Sequence, residues 1–222
     1  VLILVLFLIT LGLIVWVFPQ TSVLEYGYAD LEPLFLYTPY VFIFLIPAIT
    51  MKMIAEEKKT GTWELLRTSP LSTFEIILAK YFAAITLIFV AIIPTLVYFY
   101  SVLQLGNPPG NLDQAGFFGS WIGLYFLGAV FAAIGIFSSM LTQHQIIAFL
   151  IAVFFSFFMY FGWKAISELE MFRSINLTIE FLSLSYHFDS MGRGVIEAQN
   201  IFYFLSIIAI MLGLTGIGIV RK

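Results

Sequence analysis

The sequence predicts an all-α integral membrane protein with six transmembrane helices and a structured polar elbow between the second and the third. Three observations carry that expectation. Of 222 residues, 61% are hydrophobic and only 10% charged, with a mean hydropathy of +1.03, whereas soluble chains carry roughly 25% charged residues. The apolar residues fall in runs long enough to cross a ~30 Å hydrocarbon core, which takes about 20 helical residues. Half of the ten Lys+Arg (Lys52, Lys58, Lys59, Arg67 and Lys80) gather at one connection, and short loops so rich in base stay on the cytoplasmic side.

The spans are expected at about 1–18, 34–54, 76–105, 117–141, 146–163 and 199–220, as one domain. The first run opens without Met and is hydrocarbon-like from Val1, so residues are expected to precede it. It lacks the basic start and small-residue cleavage site of a signal peptide. The loop from Pro19 to Pro33 carries Glu25, Asp30 and Glu32 and no base, as befits the outer side. In the second span Pro47 removes a backbone bond and predicts a kink. The third span exceeds the hydrocarbon thickness, so its first turns protrude into the cytoplasm, and Pro94 bends it. In the fourth, Gly119, Gly123, Gly128, Ala132 and Gly135 offer surfaces for close helix contact.

After the fifth span, an outer segment over 164–198 mixes aromatics with turn formers, predicting short amphipathic pieces at the interface. Phe181, Leu184 and Phe188 would cover the outer mouth there. Lys52, Lys58, Lys59, Arg67, Lys80, Arg221 and Lys222 fall inside, against Lys164, Arg173 and Arg193 outside. That asymmetry supports both termini in the cytoplasm.

The elbow spans residues 56–75. Thr60 and Thr62 are candidate caps for a short helix, TWELLR, which Ser69-Pro70 closes. Ser72 and Glu75 have the spacing of a capping box, and Leu71 and Ile76 that of a hydrophobic staple, at the start of the next helix. Trp63 and Leu66 on one face, with Glu64 and Arg67 able to pair at i,i+3, suit insertion into a groove on a soluble partner. The other reading is a helix lying under the lipid headgroups.

The sequence carries none of the common catalytic or nucleotide-binding motifs. No phosphate-binding G-x-x-x-x-G-K-[ST] loop, H-E-x-x-H pair or G-x-S-x-G elbow occurs. His144 and His187 are expected on opposite sides of the membrane. Cysteine is absent, which removes disulfides and thiolate sites. Glu56-Glu57 reads as a solvated acid-base run beside Lys58-Lys59 rather than a protease pair. A net charge of -3 argues against a nucleic-acid partner. No catalytic, cofactor-binding or metal site is expected.

The elbow EEKKTGTWELLRTSPLSTFEIILAK resembles the loop between spans two and three of ABC-2 type transporter permeases, with the pattern E-x-x-x-G-T-x-E-L-L-x-[TS]-[ST]-P and a following lysine. Glu57, Gly61, Thr62, Glu64, Leu65, Leu66, Thr68, Ser69, Pro70, Glu75 and Lys80 occupy the matching positions. The six-span order and LSYHFDSMGRGVI before the last span are most similar to gliding-motility-associated ABC transporter permeases. The absent N-terminal lead-in departs from that pattern.

The resemblance implies a non-catalytic permease subunit of an ATP-driven, exporter-like complex in the bacterial inner membrane. Its partners would be an ABC ATPase subunit, which holds ATP and Mg, a second permease copy or paralogue, and the lipid bilayer. Glu57, Gly61, Thr62, Trp63, Glu64, Leu66, Arg67 and Pro70 would form the ATPase-coupling surface, with Ser72 and Glu75 as the cap. The alternatives are a stand-alone channel or secondary carrier without an ATPase, and a membrane enzyme, for which the sequence supplies no constellation.

Overall fold

The computed structural model describes residues 2–19, 21–26, 29–68, 70–108 and 110–220. The chain is helical nearly throughout, with no strand among the described residues. In order the helices are α1 (Leu2–Trp16), α2 (Val23–Tyr26), α3 (Glu32–Thr50), α4 (Ala55–Thr60), α5 (Thr62–Arg67), α6 (Thr73–Ile92), α7 (Thr95–Leu105), α8 (Gln114–Leu141) and α9 (Gln145–Phe157). There follow a π-helical turn (Phe158–Gly162), α10 (Trp163–Ser167), a 3-10 turn (Glu170–Phe172), α11 (Asn176–Glu180), α12 (Leu184–Gly192) and α13 (Ala198–Val220).

Among the described residues, five stretches, Glu32–Thr60, Thr73–Leu105, Gln114–Leu141, Gln145–Ser167 and Ala198–Ile219, are long and apolar enough to cross a membrane. With 15 residues, α1 reaches only about 22 Å at ~1.5 Å per residue, short of the hydrocarbon core.

The bundle is built around α8. Of its apolar stretch 78% is buried, against 22% for Gln145–Ser167, and it touches α3, α6, α9, α12 and α13. Small residues make this possible, because a missing Cβ lets a neighbouring backbone or ring come closer. Gly119 lies directly against the Met191 carbonyl of α12. A Cβ at Gly123 would fall 3.1 Å from the Phe188 ring, and one at Gly128 2.9 Å from Ile88; Gly135 abuts the Thr50 side chain. Three neighbours therefore pack on α8 through its glycines.

The prolines of the second and third long helices act differently. α3 runs through Pro39 and Pro47 and gives way only after Thr50. At Pro94 the third long helix breaks into α6 and α7. The break frees the Ile92 carbonyl, which accepts the Thr95 hydroxyl at 2.6 Å, while Trp121 Nε1 donates to Thr95 Oγ1 at 3.2 Å. The Leu96 N–H turns to the Ile93 carbonyl at the break, and the Thr95 hydroxyl thus satisfies the Ile92 carbonyl left open, as a buried backbone group in a bilayer requires.

The outer segment gives its apolar face a partner within the chain: α12 is docked on α8, with Leu184, His187, Phe188 and Met191 buried. His187 stacks on Tyr203 at 3.8 Å. Its Nδ1 lies 2.8 Å from Asn200 Oδ1, and its Nε2 2.9 Å from the Phe181 carbonyl. Amphipathicity was legible, but the partner for the apolar face was a glycine surface on another helix. The final Arg221-Lys222 and the Tyr28 region of the first outer loop lie outside the described residues.

Candidate functional site

The elbow is two helices rather than one. The charged run Glu56-Glu57-Lys58-Lys59 forms α4, acids in its first turn and bases in its last, which complements the helix dipole at both ends. Gly61 follows at φ 76, a left-handed conformation open to glycine at little cost, and α5 leaves in a new direction. This corrects the capping role expected of Thr60 and Thr62. The cap residue of α5 is Gly61, with no side-chain cap bond. Thr60 closes α4 instead, its hydroxyl donating to the Glu56 carbonyl at 2.9 Å and meeting Thr62 Oγ1 at 2.9 Å.

Three polar contacts latch the elbow to the bundle. Ser139, near the end of α8, accepts from the Ile54 and Ala55 N–H groups at 3.0 and 2.9 Å and donates to the Met51 carbonyl at 2.9 Å. One hydroxyl thereby satisfies three backbone groups where α3 turns into α4. Lys58 Nζ donates to the Met140 carbonyl. Lys80 of α6 donates to the Met53 carbonyl at 2.7 Å and pairs with Glu57. Glu57 is therefore no solvated acid: its paired side chain is 26% exposed, and its second oxygen is buried without a partner among the described residues. The ends of α3, α6 and α8 are tied to one another through the elbow.

Trp63 and Leu66 were expected to face outward together. Trp63 is instead only 6% exposed and belongs to the chain's own core. With Lys58, Glu64, Leu141 and Ile219 it lines a recess of about 260 Å³ beneath the elbow. Leu66 packs partly against the same core. The large apolar group turned outward is Leu65, at 71% exposure, with Leu71 and Phe74 each at 53%. The reason is rotational: α4 and the Gly61 bend fix the start of α5, so that Trp63 turns inward and Leu65 outward. Glu64 and Thr62 are also exposed. The side chain of Arg67 lies outside the described residues, so the expected pair with Glu64 does too, as does Ser69; Pro70 is exposed in the turn beyond.

Beyond that turn, α6 starts with both halves of the capping box. The Glu75 N–H donates to Ser72 Oγ at 3.3 Å, and Glu75 Oε2 accepts from the Ser72 N–H at 2.7 Å. Leu71, at the first staple position, stays largely exposed while Ile76 is buried.

Two other findings bear on chemistry. Among the described residues no cluster of three or more His, Cys, Asp or Glu could hold a metal ion. The protein-family model described as ABC-2 family transporter protein matches residues 1–221. No curated protein matches the chain.

Proposed function

The chain belongs to the ABC-2 family of transporter proteins and is a multi-pass membrane permease subunit of an ABC transporter; from that premise we propose that the elbow is where ATP hydrolysis by a separate ABC ATPase subunit is coupled to substrate movement. The observation that carries the reading is the latch. A push on α4 and α5 reaches α8 through Ser139 and Lys58, and α6 through the Glu57–Lys80 pair and the rigid cap at Ser72 and Glu75. Leu65 is the anchor that seats in the ATPase groove, with Gly61, Thr62, Glu64 and Pro70 around it; Glu57, Trp63 and Leu66 hold that surface from behind. ATP and Mg bind the ATPase.

An exporter-like role associated with gliding motility is supported by the likeness of LSYHFDSMGRGVI to such permeases. A second permease copy or paralogue completes the complex. The protein resides in a bacterial inner membrane with the elbow and both termini cytoplasmic, a disposition supported by the base asymmetry.

Leu65→Asp tests the docking. Isolation of the complex from membranes should yield at least tenfold less co-purifying ATPase than wild type, with the permease equally abundant, because an interface anchor costs more than about 1–2 kcal/mol when lost. Undiminished ATPase would mean that α5 lies on lipid. Orientation has its own check, helped by the absence of native cysteine. Thr60→Cys should react with an impermeant thiol reagent only from the cytoplasm, and Asn111→Cys only from outside. Labelling of Thr60→Cys from outside would reverse the assignment.

A further inference from the structure

At the end of the bundle opposite the elbow, the starts of α3 and α8 face α12 and Tyr160 of the π-helical turn. They enclose a half-open cavity of about 510 Å³, within the range of small-molecule sites. Its chemistry is lopsided. Four carboxylates reach it (Asp30, Glu32, Asp113 and Asp189) against a single base, Arg193. Asp30 and Asp113 are partly engaged, accepting from the Glu32 and Gly116 N–H groups at 3.0 Å each. The side chains of Glu32 and Asp189 have no hydrogen bond or ion pair among the described residues. Asp189 opens on the cavity from α12. Its side chain stays exposed to the cavity, and partial desolvation raises its carboxyl above the ordinary value, opposed by Lys164 and Arg193 and reinforced by Glu180.

Acids alone would make no site. Two hydroxyls lie deeper in the same cavity. Tyr160 is 6% exposed and Ser120 7%, both line the cavity, and neither hydroxyl has a hydrogen-bond partner among the described residues. Both hydroxyls open on the cavity with their hydrogen-bonding capacity unused by the chain, so they are free to bond to what enters it. Tyr160 sits in the π-helical turn, a wide-turn insertion that is frequent at functional sites. The turn is fixed on its other side by Ser183 Oγ, which donates to the Tyr160 carbonyl at 2.8 Å. The rings of Phe35, Phe117 and Phe188 complete the apolar wall.

We propose that this cavity binds an amphiphilic organic ammonium, its charged head between Glu32 and Asp189, its N–H groups on the Tyr160 and Ser120 hydroxyls, and its apolar body against Phe35, Phe117 and Phe188. Aromatic faces and carboxylates both attract a cation. An anion would meet four carboxylates against the single lining base Arg193, and an uncharged amphiphile would leave that excess of negative charge in place.

The test uses the intact protein in nanodiscs of zwitterionic lipid, with no ATPase required, so it stands apart from the coupling role. The probe is monodansylcadaverine, a primary ammonium carried on an apolar fluorescent ring, and its control is the same dye acetylated on that nitrogen. Fluorescence anisotropy should show saturable binding of the ammonium form, at least tenfold tighter than the acetylated form. The pair Glu32→Gln with Asp189→Asn should weaken it at least tenfold, and Tyr160→Phe several-fold. Asp189→Glu should restore most of the affinity, and Leu65→Asp should leave it unchanged. Equal binding of both dyes, or wild-type affinity in the Glu32→Gln, Asp189→Asn pair with thermal unfolding unaltered, would overturn the assignment.

Discussion

Trp63→Ala lowers the stability of the permease itself by about 3–5 kcal/mol, the usual cost of truncating a large buried aromatic ring. Trp63 is 6% exposed and packs in the chain's own core, so its removal leaves a cavity beside the recess lined by Leu141 and Ile219. The measurement is thermal unfolding of the purified chain in detergent, alone and without nucleotide. Leu65→Ala, at a position 71% exposed, should leave the same transition within about 0.5 kcal/mol, as surface substitutions usually do. The pair separates two roles that a docking assay alone would merge, since both variants lose ATPase but only one loses stability. If Trp63→Ala unfolds like wild type, the ring is not held by this chain, and the outward-facing arrangement regains its place.

Gly119→Ala weakens the seat of α12 on α8 by about 1–3 kcal/mol, the range for overpacking a tight contact. A methyl group at Gly119 would run into the Met191 carbonyl, which belongs to the backbone and can yield only if α12 shifts as a whole. Gly213→Ala provides the comparison, because a Cβ there meets nothing within 4 Å. That change removes a helix glycine and should be neutral or stabilising by up to about 1 kcal/mol. Unfolding of the two variants in denaturing detergent, side by side, decides the matter. Equal stability would show that the contact between α8 and α12 is loose. Because α12 also carries Phe188 and Asp189, the same displacement should open the outer cavity to solvent.

The placement of the long helices was open to reading because a single large penalty governs it, that of exposing backbone and apolar side chains to the wrong solvent. Runs of apolar residues bounded by Pro, Gly and charge mark where that penalty must be avoided, whatever the spans pack against. The capping box at Ser72 and Glu75 was legible for a similar reason: its partners are three residues apart, and local geometry decides it. So were the glycines of α8, although not what each one admits.

What only the tertiary structure decided are the contacts between residues far apart in sequence. Glu57 reads as a solvated charge among charges, until α6 brings Lys80 to it from 23 residues away. Ser139 reads as an ordinary helix serine, until the turn after α3 delivers two N–H groups and a carbonyl to its hydroxyl. Trp63 has the composition of a docking anchor, and its burial depends on the direction in which Gly61 launches α5, a rotation that no periodicity within so short a helix can encode. Sequence determined where the long apolar helices and the polar elbow lie, because solvent acts on every residue alone; it left open which side chains meet, because that depends on the packing of whole helices against one another.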